Sequence, residues 1–177
     1  GGGTTSGKGS EPLKESNKKR CQDLITKPME FCENVEGFVV PGDKLINNYK
    51  GVDFTLATWI LVTKKPLGRF SFISGKISHN DVWPLIMLRH DGKLDILYGV
   101  NSDFERITTT NTIPQLQWTH IAVIVEHKKI KIFINGSVDS QVVTAKGNGR
   151  AVLYPLIVGC CPASVKTKIT QVREVFD

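Results

Sequence analysis

The carboxylates in the well-patterned part of the sequence, Asp91, Asp95, Asp103, Glu105 and Asp139, occur singly. Hydrolytic acid–base chemistry needs them in pairs, with a nucleophile and an acid about 5 Å apart in a retaining glycosidase. Asp103 and Glu105 come nearest to such a pair, but they lie beside a loop. No Gly-x-Ser-x-Gly turn presents a nucleophilic serine, and no glycine-rich loop opens a helix to cradle phosphate. The four cysteines, Cys21, Cys32, Cys160 and Cys161, show neither CxxC nor Cys-His metal spacing. Adjacent Cys160 and Cys161 point to opposite faces of a strand, so a bond between them would be strained. The cysteines read as free thiols of a reducing compartment, with one or two disulfides as the alternative. These residues predict no catalytic centre, no cofactor site and no metal site in this chain.

Charge and composition exclude further classes. The net charge is +6, and residues 1–20 hold half of it, with five Lys and Arg against two Glu. That segment is Gly, Ser, Thr, Lys and Glu with almost no apolar content, so burial cannot offset the entropy of ordering it. It is predicted to be a disordered linker, and Lys18-Lys19-Arg20 a solvated charge run. A folded basic face with interleaved aromatics is missing, which argues against nucleic acid as a partner. No apolar run approaches the roughly 20 residues of a membrane-spanning helix.

The elements that must position any site are strands. Residues 117–138, QWTHIAVIVEHKKIKIFINGSV, read as two strands and a tight Asn135-Gly136 reversal, with Ser137 to Val143 returning as a third. Both faces of the first strand are largely apolar: Trp118, His120, Ala122 and Ile124 on one side, Ile121, Val123 and Val125 on the other. This predicts burial on both sides. The next strand sets Ile130, Ile132 and Ile134 against Lys129, Lys131 and Phe133, half buried and half wet. Upstream, Phe54, Leu56, Thr58 and Ile60 alternate with Thr55, Ala57, Trp59 and Leu61. Further strands are predicted at 37–40, 69–74, 83–90, 93–98, 104–110, 156–161 and 169–176, with a hairpin turn at Asp91-Gly92. No segment carries a helical period. About a dozen short strands with Gly or Pro turns predict an all-β, two-sheet antiparallel jelly-roll sandwich over residues 21–177.

The order VEGFVVPGDKLINN, DFTLATWI, HDGKLDILYG, LQWTHIAVIVEHKKIKIFINGSV, PLIVGC, ITQVREVF resembles the laminin G-like jelly roll of the concanavalin A-like lectin and glucanase superfamily. The resemblance runs from about Met29 to Phe176. It implies that Trp59, Trp118 and His120, with Phe133 and Gly136, belong to the structural core and fill the space between the sheets. The superfamily's glucanases carry ExDxxE-type carboxylates on one strand, and this chain lacks them, so glycoside hydrolysis is a remote alternative. Its calcium sites lie on a loop rim; Asn80-Asp81 and Asn101-Ser102-Asp103 could give oxygen ligands, but ordinary turn chemistry explains them more simply. The sequon Asn135-Gly136-Ser137 would matter only after secretion.

Two functions are expected from this reading. One is a non-catalytic protein-interaction or scaffolding module of a larger intracellular, cytoplasmic protein, similar to the laminin G-like domains within HECT-type ubiquitin ligases and BEACH-domain trafficking proteins. In such a parent, catalysis would belong to another domain. The other is an extracellular domain that binds glycans or matrix proteins. In either case the partner is expected on loops at one sandwich end, at residues 64–69, 77–83 and 146–154, and on whichever face the long loops leave uncovered. Arg69, His79, Asn80, Asp81 and Trp83 are the candidate contacts, with Trp83 as the aromatic anchor.

Overall fold

Period-two alternation of apolar and polar residues, interrupted by Gly, Pro and Asn turns, drives this sequence into strands. In the computed structural model, the described residues are 26–31, 37–41, 53–66, 70–77, 82–100, 103–126, 128–143 and 156–159. They form ten strands and, among the described residues, no helix: β1 Phe38–Val40, β2 Phe54–Leu61, β3 Phe70–Ile77, β4 Val82–Arg89, β5 Leu94–Val100, β6 Asp103–Thr108, β7 Trp118–Glu126, β8 Lys129–Ile134, β9 Ser137–Val143 and β10 Leu156–Val158. A six-stranded sheet runs β1-β10-β3-β4-β5-β6, and a four-stranded sheet runs β2-β7-β8-β9. Every ladder between these strands is antiparallel. The expected all-β sandwich is present, and β7-β8-β9 is the expected meander. The linker at 1–20, the strand at 169–176 and all four cysteines lie outside the described residues.

The core lies between the sheets. Ile86, Leu88, Leu94, Ile96, Tyr98 and Ile107 face it from the six-stranded sheet; Ile121, Val123, Val125, Ile130 and Ile132 face it from the other, and Val62 and Ile113 join the same cluster. Full burial of a Val, Leu or Ile side chain is worth about 1.5–3 kcal/mol relative to exposure, so these side chains dominate the stability of the fold. Thr109 holds one edge of this packing, accepting from the Leu94 N–H at 2.9 Å while donating to the Asn111 carbonyl at 2.9 Å. The Tyr98 hydroxyl is buried with no hydrogen-bond partner among the described residues, and burial, followed by the charge of Asp53, pushes its pKa up to about 12.

Polar groups tie the sheets at their margins. Asp139 on β9 reaches the chain beyond β6, where its carboxylate accepts from the Thr110 N–H at 2.8 Å, the Asn111 N–H at 2.9 Å and the Asn111 Nδ2 at 2.9 Å. The Ser140 hydroxyl donates to it as well. Burial raises the Asp139 pKa, but the donors from Ser140, Asn111 and Thr110 outweigh it and hold the carboxyl below its ordinary 3.8. At β10, Gly159 ends the strand at φ +85°, donates its N–H to the Ile73 carbonyl at 2.7 Å and lies beneath the Phe31 ring, where a Cβ would collide.

Candidate binding site

The β2–β7 register sets Trp59 opposite His120 and Leu61 opposite Trp118. Because Ile121, Val123 and Val125 of β7 point into the core, Trp118 and His120 must point the other way, onto the outer face of the four-stranded sheet. Trp59 is 61% exposed and Trp118 50% exposed. His120, half-buried, meets Trp59 edge to face with ring centroids 5.1 Å apart and planes at 64°.

The hairpin turn completes this surface. Asn135 (φ +49°) and Gly136 (φ +80°) supply the two left-handed residues of a type I′ turn, a conformation natural to Asn and Gly. Asn135 is pinned at both ends: its Oδ1 accepts the His120 N–H at 2.9 Å, and its own N–H donates to the His120 carbonyl at 2.8 Å. Trp59, Trp118, His120, Asn135 and Gly136 line one open depression. Leu61, paired with Trp118 in the register and 37% exposed, continues the apolar surface, and Leu116, two residues before Trp118 in sequence, is 75% exposed. Leu116 is held there at φ +59° by its N–H bond to the Val62 carbonyl at 2.9 Å. A left-handed leucine costs about 1–2 kcal/mol, and the backbone bond holds it against that preference.

This arrangement supplies aromatic and aliphatic surface with a few polar groups at its edge. Exposed apolar surface of this kind is suited to being covered by a partner. Among the described residues, no three His, Cys, Asp or Glu side chains converge to hold a metal ion. Among the described residues the most deeply set carboxylate, Asp95 at 5% exposure, serves the other sheet. It takes Arg106 at 2.8 Å, Thr108 Oγ1 at 2.7 Å and Arg89 at 3.5 Å, and Arg89 also meets Asp91 at 3.0 Å.

The structure corrects the expected core roles. Trp59 and Trp118 do not fill the space between the sheets, and His120 and Phe133 lie half-buried on the same outer face, with Phe133 opposite Ala122 and Val138. Gly136 is structural, but as an exposed turn residue. The expectation that β7 is buried on both sides fails for one reason. Only the face of β7 that carries Ile121, Val123 and Val125 meets the other sheet, and the outer face of β7 is wet at its Trp118 end. Two signals in the sequence pointed this way: Trp118 has opposite parity to Ile121, Val123 and Val125, and Trp59 shares a face with Thr55 and Ala57. Leu61 and Leu116 went unnoticed as surface residues, since nothing local marks an exposed leucine. Of the expected contacts, Arg69, His79, Asn80 and Asp81 lie outside the described residues, while the Trp83 backbone lies in β4 opposite Lys76.

The fold is an antiparallel jelly-roll sandwich, and the comparison with protein families agrees. Residues 37–173 match the laminin G model described as concanavalin A-like lectin/glucanases superfamily, and the chain belongs to that family. No curated protein sequence matches it. Among solved structures it is similar to domains LG4-5 of the mouse laminin alpha1 chain, with a TM-score of 0.51, 20% identity and coverage of 76% of this chain and 34% of that one. It is also similar to domain 4 of AbnA, a GH43 extracellular arabinanase from Geobacillus stearothermophilus solved with arabinotriose, with a TM-score of 0.53, 20% identity and coverage of 70% and 57%. A third is the binding domain of Paraclostridial Mosquitocidal Protein 1, with a TM-score of 0.54, 17% identity and coverage of 73% and 37%. These likenesses establish the jelly-roll fold, and in each the chain spans less than two thirds of the other's length.

Proposed function

We propose that this chain is a non-catalytic binding module and that a partner protein docks on the outer face of the four-stranded sheet. The observation that carries this reading is the run of four exposed apolar side chains, Trp59, Leu61, Leu116 and Trp118, at 61, 37, 75 and 50% exposure. Apolar surface gathered in one place on a folded domain marks an interaction site, and tryptophans are favoured anchors in such sites. A photoreactive residue at position 61, compared with one at 141 on the far part of the same sheet, tests it. Crosslinking to a discrete protein from position 61 alone is the expected result. Equal or absent crosslinking from both positions removes the proposal.

An oligosaccharide is the second reading, favoured by the depression in which two indoles flank the polar His120 and Asn135. Indole faces stack on the C–H faces of sugars while amides take the hydroxyls. Domain 4 of AbnA, solved with arabinotriose, shows that a domain of this fold can be found with a sugar. Binding to a glycan array that disappears in Trp59→Ser and Trp118→Ser would replace the protein reading.

We infer that the module works outside the cell. Support comes from a family that includes a laminin domain and from a similar domain of an extracellular arabinanase. The competing setting is a larger intracellular chain of HECT or BEACH type, which rests on the resemblance of the sequence alone. Thiol labelling of native-source protein distinguishes them: a disulfide among Cys21, Cys32, Cys160 and Cys161 supports the extracellular setting, and four freely reactive thiols overturn it.

A further inference from the structure

The sequon Asn135-Gly136-Ser137 lies at the rim of the binding surface, and the fold puts it where a modifying enzyme could reach it. Asn135, Gly136 and Ser137 are all exposed, and the space around Gly136 is open, with no atom beyond its chain neighbours within 4 Å of where its Cβ would stand. We propose that Asn135 is an N-glycan acceptor and that the first sugar of the glycan lies in the depression against Trp118 and Trp59. The proposal rests on the extracellular setting, since the donor is found only along the secretory route.

The two ends of the Asn135 amide have separate tasks. Its Oδ1 accepts the His120 N–H at 2.9 Å and so holds the turn, a bond only the oxygen can make with that donor. The chemistry uses the nitrogen. Nδ2 forms a bond to the anomeric carbon of the first N-acetylglucosamine of a lipid-linked pyrophosphate oligosaccharide. The bond from that carbon to the pyrophosphate oxygen breaks, the lipid pyrophosphate leaves with the electron pair, and Nδ2 loses one proton. The product retains Oδ1, so the folded hairpin survives the modification. Sequon chemistry asks for a residue other than proline in the middle and a hydroxyl after it, and Gly136 and Ser137 meet both requirements.

Direction decides where the sugar goes. Asn135 lines the same depression as Trp59, Trp118 and His120, so a sugar carried on its side chain is attached within reach of these rings. Its apolar face can stack on an indole that is otherwise half or more in water. Glycosylation would then cover the tryptophan part of the docking surface and leave Leu61 and Leu116 open, giving the module a modified and an unmodified form with different exposed surfaces.

The test is to express the chain behind a secretory leader in eukaryotic cells and to measure its intact mass and the mass of the peptide that carries Asn135. One N-glycan at Asn135, removed by a peptide N-glycosidase, absent from Ser137→Ala and more fully occupied in Ser137→Thr, is the expected result. A secreted, folded wild type with Asn135 unmodified overturns the proposal, whatever the native compartment proves to be. The cysteine labelling above judges that compartment separately. Iodide quenching of tryptophan fluorescence reads the placement of the sugar. At least a twofold drop in quenching for the glycosylated form against Ser137→Ala supports the stacked position, and equal quenching overturns it.

Discussion

The outer faces of the two sheets treat their side chains in opposite ways. On the six-stranded sheet, Leu85, Met87, Leu97 and Phe104 point away from the core cluster and are still 0, 3, 2 and 5% exposed, and Asp95 among them is neutralised by Arg106 and Arg89. On the four-stranded sheet, Trp59 and Trp118 remain 61 and 50% exposed. The first face contributes to the stability of the domain, because its apolar groups are out of water and its charge is paired. The second contributes little to stability and keeps its apolar surface available. A large aromatic on a strand is therefore informative about function only once the layer it faces is known.

Breaking the first face should cost most. Asp95→Ala removes the buried acceptor shared by Arg106, Thr108 and Arg89, and a loss of about 2–3 kcal/mol is expected in urea unfolding. A loss under about 1 kcal/mol would show that this face is wetter than its burial indicates.

The junction between the sheets should be next. Asp139→Ala removes the acceptor for Thr110 and Asn111, and a loss of about 1–2 kcal/mol is expected at neutral pH, since the contacts are partly exposed. Its folded pKa lies below the ordinary 3.8, so the wild-type advantage is complete above 3.8 and fades as pH falls through the folded value. Melting curves of the two proteins should converge as pH is lowered to about 2.

The second face should respond in the reverse direction or not at all. Leu116→Gly relieves a left-handed backbone at φ +59° while freeing the unfolded chain, for a net gain of about 0.5–1 kcal/mol in thermal melts. Trp59→Ser and Trp118→Ser should each change stability by no more than about 0.5 kcal/mol while abolishing partner crosslinking from position 61. Destabilisation by several kcal/mol from either serine would make the tryptophans structural and erase the contrast between the faces.

Much of the fold was legible because alternation is a local property. Phe54–Leu61, Lys129–Ile134 and Ser137–Val143 follow from period two, and the Asn135-Gly136 turn follows from the left-handed tolerance of those two residues. The binding surface was harder to read. Trp118 lies in a strand with apolar residues on both sides, so its pattern suits a doubly buried strand as well as a singly buried one. Leu116 takes its conformation from a bond to Val62, more than fifty residues away in sequence.

By itself, then, the sequence determined the strands, their two faces, the meander and its turn, because each depends on neighbours one to four residues apart. Only the tertiary structure decided which face of β7 met the other sheet, and with it the exposure of Trp59 and Trp118. Period two divides a strand into two sides, but burial is settled by what packs against each side, and that layer comes from residues distant in the chain.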